Sequence, residues 1–350
     1  MIPHYSKIHL KFRLNGKSYT KNTLKELAYC YIKEEQPFEI YIANFLLDWL
    51  DDKNYVSVKT SGSTGKPKVI QIKKQAMVNS AIATGVFFDL RPSNRVLHCL
   101  PSNFIAGKMM LVRAIILGLE LDVINPTSEP LSEISKTYDF CAMVPLQVQN
   151  SLRELHHIKT LIIGGALVSE NLKLKLSDLS TRIYATYGMT ETITHIAIKQ
   201  LNHLEDPFFK VLSNVSISKD NRDCLIINAP HLTDETVITN DVVSIKSDLE
   251  FELLGRYDNV INSGGIKLIP EQIEKKLQDV ISYRFFIASK PDKSLGEQLI
   301  LVVESEKETI NTSIFDILDK YEHPKSIYYL KQFVETQTSK INRQATLQLL

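Results

Sequence analysis

Lys59-Thr60-Ser61-Gly62-Ser63-Thr64-Gly65-Lys66-Pro67-Lys68 concentrates hydroxyls, glycines and lysines in one short turn. Val56-Ser57-Val58 before it and Val69-Ile70-Gln71-Ile72 after it predict strands. A hydroxyl- and glycine-rich loop between strands turns backbone N–H groups and side-chain donors towards an anion. Its glycines admit backbone angles that a Cβ forbids, and its lysines add charge suited to phosphate. The common nucleotide P-loop is a different pattern, with four residues between its glycines and then Lys and Ser/Thr opening a helix. Here two residues separate Gly62 from Gly65, and Pro67 follows Lys66. Taken alone, the stretch also reads as a polar hairpin on a basic surface.

Outward from the loop, 350 residues suffice for two domains with real cores. Apolar residues are 44% and charged residues 23%, the balance of a soluble globular protein. A net charge of +1 favours neither nucleic acid nor an anionic membrane. Cys30, Cys99, Cys141 and Cys224 lack metal-ligand spacing and read as free thiols in a reducing compartment. The longest apolar stretch, 109–124, is broken by Arg113, Glu120 and Asp122, so no membrane insertion is expected. The N-terminus lacks a signal-peptide core, and a cytoplasmic protein is expected. Nine of the 13 glycines fall in the segments singled out here, which points to backbone packed close against something.

Helical spacing predicts helices over 23–32, 39–51, 74–88, 105–116, 148–155 and 169–179. Apolar runs predict strands over 8–13, 95–101, 122–125, 138–144 and 160–163. This alternation implies α/β layering with a largely parallel sheet, whose ligands sit beyond the carboxyl ends of its strands. From Val211 to Leu254 short strands with polar turns suggest a small β subdomain. After the junction at 255–259 come a helix over Pro270–Leu277, strands over 283–288 and 298–304, and a helix near 314–321, making a small α+β domain. The expected domains are 1–256 and 257–350. Lys108 and Arg113 interrupt the apolar 105–116 helix. They either snorkel to solvent or meet a buried anion, because charge among apolar groups needs a partner.

Four further segments carry chemistry: Leu161-Ile162-Ile163-Gly164-Gly165-Ala166, Ala185-Thr186-Tyr187-Gly188-Met189-Thr190-Glu191-Thr192, Thr239-Asn240-Asp241, and Gly255-Arg256-Tyr257-Asp258-Asn259 running on to Ser263-Gly264-Gly265-Ile266-Lys267. A fifth, Thr338-Ser339-Lys340-Ile341-Asn342-Arg343, closes the chain. With Lys59–Lys68 they resemble, in order, the motifs of the acyl-adenylate-forming (ANL) superfamily, which includes the acyl-CoA synthetases. The resemblance spans about 56–343, and the region before the phosphate loop is shorter than in typical members.

The resemblance implies an enzyme that uses ATP, Mg2+ and coenzyme A on a small-molecule carboxylic acid. Thr60, Ser61, Gly62, Ser63, Thr64, Gly65 and Lys68 would hold the β- and γ-phosphates. Gly164, Gly165 and Ala166 would lie beside adenine, Tyr187 would offer its ring to the base, and Gly188 would let the base approach. Thr190 would donate to the α-phosphate and Glu191 would hold the metal. Asp241 would bind ribose, although Asn240 stands where the family has glycine, and Arg256 would contact ribose or phosphate. Asp258 would be the hinge of the small domain, and Gly264, Gly265 and Lys267 part of the coenzyme A tunnel. Lys340 would be the catalytic lysine, with Ser339 replacing the family's glycine. Segments 101–108 and 189–197 most resemble those of members that activate an aryl acid with two carboxylates. Phe104 occupies the acyl-pocket aromatic position. Ser102, Lys108, Arg113 and Thr194 are the candidates to meet the second carboxylate. Other aryl or fatty acids, or a nucleotide-binding scaffold that has lost catalysis, are the alternatives.

Overall fold

The computed structural model describes the chain except residues 1, 35, 60–68, 205–206, 308–309 and 336–340. It divides into two compact units. The first comprises Met1–Val168, Lys175–Ser216 and Asn228–Val237. Along the chain come β1 (Arg13–Leu14), α1 (Lys21–Glu34), α2 (Pro37–Leu50), β2 (Tyr55–Lys59), β3 (Val69–Lys73), α3 (Lys74–Phe87), β4 (Arg95–His98) and α4 (Ile105–Leu117). They are followed by β5 (Glu120–Val123), β6 (Tyr138–Met143), α5 (Pro145–Asn150), β7 (Ile158–Ile163), α6 (Glu170–Leu176, most of which belongs to the second unit), β8 (Arg182–Gly188), β9 (His195–Gln200) and β10 (Phe209–Val211).

Strand order in this unit is β1-β5-β4-β6-β7-β8-β9-β10. The run from β1 to β8 is parallel, and β9 and β10 are antiparallel additions. Strands buried on both faces need continuous apolar runs, and Val96, Leu97, Phe140, Cys141, Leu161 and Ile163 supply them. The predicted α/β layering is therefore present. Strand β2 is not part of the parallel sheet. It pairs antiparallel with β3 in a separate two-stranded ribbon.

Helix α4 is apolar on nearly every side and buried from Gly107 to Ile116. Gly107 is required there: a Cβ would stand 2.4 Å from the Pro101 carbonyl oxygen. Gly118, at φ +73°, ends the helix in the left-handed conformation.

Several boundaries differ from the sequence reading, three of them with a clear local cause. The 8–13 alternation yields only the two-residue β1, and Leu10 is exposed, because just the end of the segment reaches a partner strand. The helix expected over 148–155 starts earlier, since Pro145 fits a first turn, and it stops at Asn150. The helix expected near 314–321 is a single 3-10 stretch, Thr312–Ile317.

The second unit comprises Ser169–Leu174, Ile217–Ile227 and Ile238–Leu350. It holds β11 (Ser216–Lys219), β12 (Cys224–Asn228), β13 (Val237–Ser247), β14 (Glu250–Arg256), β15 (Ile261–Ser263), β16 (Ile266–Leu268), α7 (Pro270–Leu277), β17 (Phe285–Asp292), β18 (Gly296–Glu304), β19 (Ser326–Leu330) and α8 (Arg343–Leu347). β14-β13-β12-β11 form a ribbon of neighbours. β16-β15-β18-β17 form a second sheet, with β19 parallel on β18. Period-two alternation sorts this second sheet's core. Ile287, Leu299, Leu301 and Val303 join Ile273 and Leu277 of α7, while Phe286, Ala288, Ile300 and Val302 join Phe333.

Candidate active site

In the first unit the parallel strands β4, β6, β7 and β8 end at one edge of the sheet, and their loops bear the predicted residues. Gly164 follows β7, its N–H donating to Met143 O at 3.1 Å. Gly165 turns at φ +84°, with Val144 at the end of β6 as its neighbour. A Cβ at Gly164 would meet Thr186 Oγ1 at 2.8 Å, so β7 and β8 close tightly here. Tyr187 is buried and packs on Phe209, ring centroids 5.9 Å apart. Gly188 serves the protein's own packing: a Cβ would lie 2.2 Å from Thr194 O.

Beyond β8, Thr190–Thr192 form one 3-10 turn. Thr192 is fully buried; its hydroxyl accepts from Met189 N at 3.1 Å and donates to Thr194 O at 2.9 Å. Ile193 is held at φ +69°, ψ −59°, a strained geometry for a β-branched residue that costs about 1–3 kcal/mol. The turn presents Glu191 outward, its carboxylate making no hydrogen bond or ion pair among the described residues. A single free carboxylate suits Mg2+, which takes one or two carboxylates and completes its shell with phosphate and water. Among the described residues no cluster of three or more His, Cys, Asp or Glu could hold a metal by itself.

The base of the β2–β3 hairpin is pinned. Lys74, with 0% exposure, donates through Nζ to Asp51 Oδ1 at 2.6 Å and to Asp51 O at 3.1 Å. Its N–H donates to Asn54 O at 2.8 Å. The phosphate-loop residues Thr60, Ser61, Gly62, Ser63, Thr64, Gly65 and Lys68, and the lysine Lys340, lie outside the described residues.

Neither Lys108 nor Arg113 snorkels, which corrects that half of the sequence reading. Lys108 is buried, donating from Nζ to Ser102 O at 2.7 Å, with Nζ 5.3 Å from the Phe45 ring centroid. Burial pushes its ammonium pKa down, and Asp48 pulls it back up. The Ser102 hydroxyl is taken by His98 Nε2 at 2.8 Å. Phe104 stands partly exposed at the start of α4.

Arg113 is 2% exposed. Its Nη1 donates to Met110 Sδ at 3.5 Å, while Nε and Nη2 have no partner among the described residues. Burial pulls its pKa down to about 10, so it stays cationic at neutral pH. Around it lies a buried polar group that the sequence reading missed. His195 Nε2 meets Thr84 Oγ1 at 3.1 Å, Thr84 Oγ1 donates to Ser80 O at 3.0 Å, and Ser80 Oγ has no partner among the described residues. Burial, and then the Arg113 charge, hold His195 well below the usual imidazole pKa. Each aliphatic side chain buried on α4 is worth about 1.5–3 kcal/mol, enough for the helix to carry one unpaired guanidinium inward.

In the second unit Asp241, Arg256 and Asp258 form one network. Arg256 Nη1 donates to Asp241 Oδ1 at 2.9 Å and Nη2 to Asp258 Oδ2 at 3.0 Å. Asn240 Nδ2 donates to Asp258 Oδ1 at 3.0 Å, and Asn240 Oδ1 accepts from Arg222 Nη1 at 3.0 Å. Gly264 and Gly265, at φ +57° and +81°, make the two-residue turn between β15 and β16. Lys267 lies 5.7 Å from the Tyr257 ring centroid and helps line an open cavity of about 250 Å3 with Asn221, Arg222, Tyr257, Val260 and Asn262.

The fold and these motifs define an adenylate-forming enzyme, and comparison with known proteins agrees. Residues 51–224 match the AMP-binding enzyme family. The acyl-CoA synthetase (AMP-forming)/AMP-acid ligase II-like protein of Dyadobacter fermentans is 37% identical, with 93% of this chain and 98% of that one covered and a TM-score of 0.63. The chain belongs to this family, as an ATP-dependent, AMP-forming acyl-CoA synthetase. It is similar to the 2-succinylbenzoate–CoA ligase of Lactococcus lactis, 24% identical over 85% of this chain and 71% of that protein. In structure it also resembles the O-succinylbenzoate coenzyme A synthetase of Bacillus subtilis in complex with ATP and magnesium ion, with TM-score 0.72, 19% identity, and 83% and 69% coverage.

Proposed function

We propose that the protein is an o-succinylbenzoate–CoA ligase acting in menaquinone biosynthesis in the cytoplasm. The observation that carries the choice of acid is Arg113, a buried cation with two nitrogens unpartnered among the described residues, in a family whose substrates are carboxylates. O-succinylbenzoate has two carboxylates: one is activated and the other pairs with Arg113. A monocarboxylic acid would leave that guanidinium buried and unpaired, at a cost of several kcal/mol. Lys108, Ser102, Thr194 and Phe104 complete the acyl pocket.

In the first step a carboxylate oxygen attacks the α-phosphorus of ATP and the bond to pyrophosphate breaks, giving an acyl-adenylate. Residues 60–68 hold the β- and γ-phosphates, and Thr190 donates to the α-phosphate. Tyr187 and Gly164–Ala166 receive the base, while Asp241 and Arg256 hold the ribose. Mg2+ on Glu191 would supply charge neutralisation. Lys340 stabilises the charge that develops as the leaving group departs. In the second step the domain 257–350 swings about Asp258 and withdraws Lys340. Gly264, Gly265 and Lys267 then guide coenzyme A, whose sulfur attacks the acyl carbonyl and expels AMP.

The test is a panel of acids scored by pyrophosphate release, with thioester detected by mass spectrometry. O-succinylbenzoate, ATP and coenzyme A together should yield o-succinylbenzoyl-CoA. Preference for another aryl or fatty acid would overturn the choice of substrate. ATP binding without pyrophosphate–ATP exchange on any acid would indicate a scaffold.

A further inference from the structure

The first turn of α7 lies on the end of β14, so the chain on either side of Asp258 folds back against itself. Gln272 Nε2 donates to Leu254 O at 2.6 Å, and Asn259 Nδ2 donates to Glu271 Oε1. The closest approach is at Gly255, which is buried and pairs with Val242 in the β13–β14 ladder. A Cβ there would stand 2.4 Å from Glu271 Oε2 and 2.6 Å from Ile269 Cγ2. The backbone of Gly255 lies outside the left-handed region, so only the approach of residues 269–271 excludes a side chain.

For and against this contact stand terms of similar size. The Gln272 bond and the packing on Gly255 favour it. Against them, Glu271 Oε2 is buried with no partner among the described residues, and a carboxylate oxygen taken from water and left unpaired is costly. The rest of α7 is anchored elsewhere. Ile273 and Leu277 pack with Ile287, Leu299 and Leu301 in a cluster whose members all lie between 261 and 329. Lifting residues 269–272 off β14 therefore exposes little core and returns the idle oxygen to water. A small gap between two arrangements is what a switching element requires.

We propose that the contact of α7 with Gly255 is a conformational lock. It holds one of two arrangements of the chain about Asp258, and the unpaired oxygen of Glu271 keeps that arrangement from being permanent. This rests on the reading of Asp258 as a hinge given above. Cys30 is exposed while Cys99, Cys141 and Cys224 are buried, and Lys293 is exposed beyond Asp258. Dyes on Cys30 and on Lys293→Cys, read by single-molecule energy transfer, therefore report movement about Asp258. Without further substitution, this labelled protein should show two states. Gly255→Ala should deplete one of them by about tenfold or more, as overpacking a filled site does. Gln272→Leu should deplete the same state by about threefold, the scale of one lost hydrogen bond. Glu271→Gln keeps an acceptor for Asn259 and removes the buried charge, so it should enrich that state by about threefold or more. The ratio of pyrophosphate–ATP exchange to acyl transfer from a synthesised acyl-adenylate should move one way in Gly255→Ala and the other way in Glu271→Gln. Lowered Tm with unchanged populations would make the contact a stability element and overturn the proposal. A shift of Glu271→Gln in the same direction as Gly255→Ala would overturn it as well. Should Gly255→Ala fail to fold, the opposed shifts of Gln272→Leu and Glu271→Gln decide the matter. A single state with ATP, and the same state with coenzyme A and an unreactive acyl-adenylate analogue, would instead remove the hinge and the lock with it.

Discussion

At Arg113 the proposed function and stability pull in opposite directions. A guanidinium at 2% exposure with two nitrogens unpartnered among the described residues destabilises the free protein. Arg113→Met removes that charge from a helix otherwise lined by apolar contacts, so the variant's Tm should rise. Its KM for o-succinylbenzoate should rise as well, by about 30-fold or more, the range for truncating one partner of a buried charge pair. A fall in Tm, or an unchanged KM, would remove Arg113 from the binding site. His98 makes a separate prediction. Burial holds its imidazole at about 4, below the ordinary 6.5. The folded form therefore stays neutral while the unfolded chain takes up a proton. Its contribution is complete above pH 6.5 and drains as pH falls from 6.5 to 4. The loss should be on the order of 3 kcal/mol. Thermal unfolding from pH 7 down to pH 4 should show a steeper decline for the native protein than for His98→Asn.

At the scale of elements, the β13–β14 ribbon is decided by a substitution that the motif comparison marks only as a departure. Asn240 stands where the family has glycine, and its side chain bridges Arg222 to Asp258. Glycine has no side-chain amide to give, so this chain carries an extra hydrogen bond on Asp258, the proposed hinge. A hydrogen bond to a charged group is worth about 1.5–3 kcal/mol. Asn240→Gly should therefore speed pose exchange by about tenfold or more, read from a fluorophore pair with one dye on each side of Asp258. An unchanged exchange rate would show that Asp258 is held by Arg256 alone. Much of the element plan is legible from pattern: α2, α3, α4, β6, β7 and α7 form where the sequence puts them, α7 because it buries the face that its spacing marks out and α4, β6 and β7 because they are apolar runs buried almost throughout. The missed boundaries have local physical causes. The 8–13 alternation needed a partner strand along its length, and only Arg13 and Leu14 have one. The 148–155 stretch has helical spacing, but Pro145 sets the start and the turn ends at Asn150.

For the molecule as a whole, the proposed chemistry is ordered by a metal needed only while ATP is present. With Glu191 as the protein's carboxylate, removing Mg2+ with EDTA should abolish pyrophosphate–ATP exchange, whereas acyl transfer from a preformed adenylate should proceed at close to its normal rate. Loss of both would mean that the metal also serves the second step. The amino-acid sequence alone determined the family, the order of its motifs and the α/β plan. Those signals are local: a turn needs its glycines, a strand its apolar run, an anion its donors, all within a few residues. Only the tertiary structure decided that Arg113 is buried with Nε and Nη2 unpaired among the described residues, that His195 joins Thr84 111 residues away, and that Arg343 pairs with Glu274. Burial and pairing are properties of elements brought together by packing, and no spacing along the chain encodes which side chain will be left without a partner.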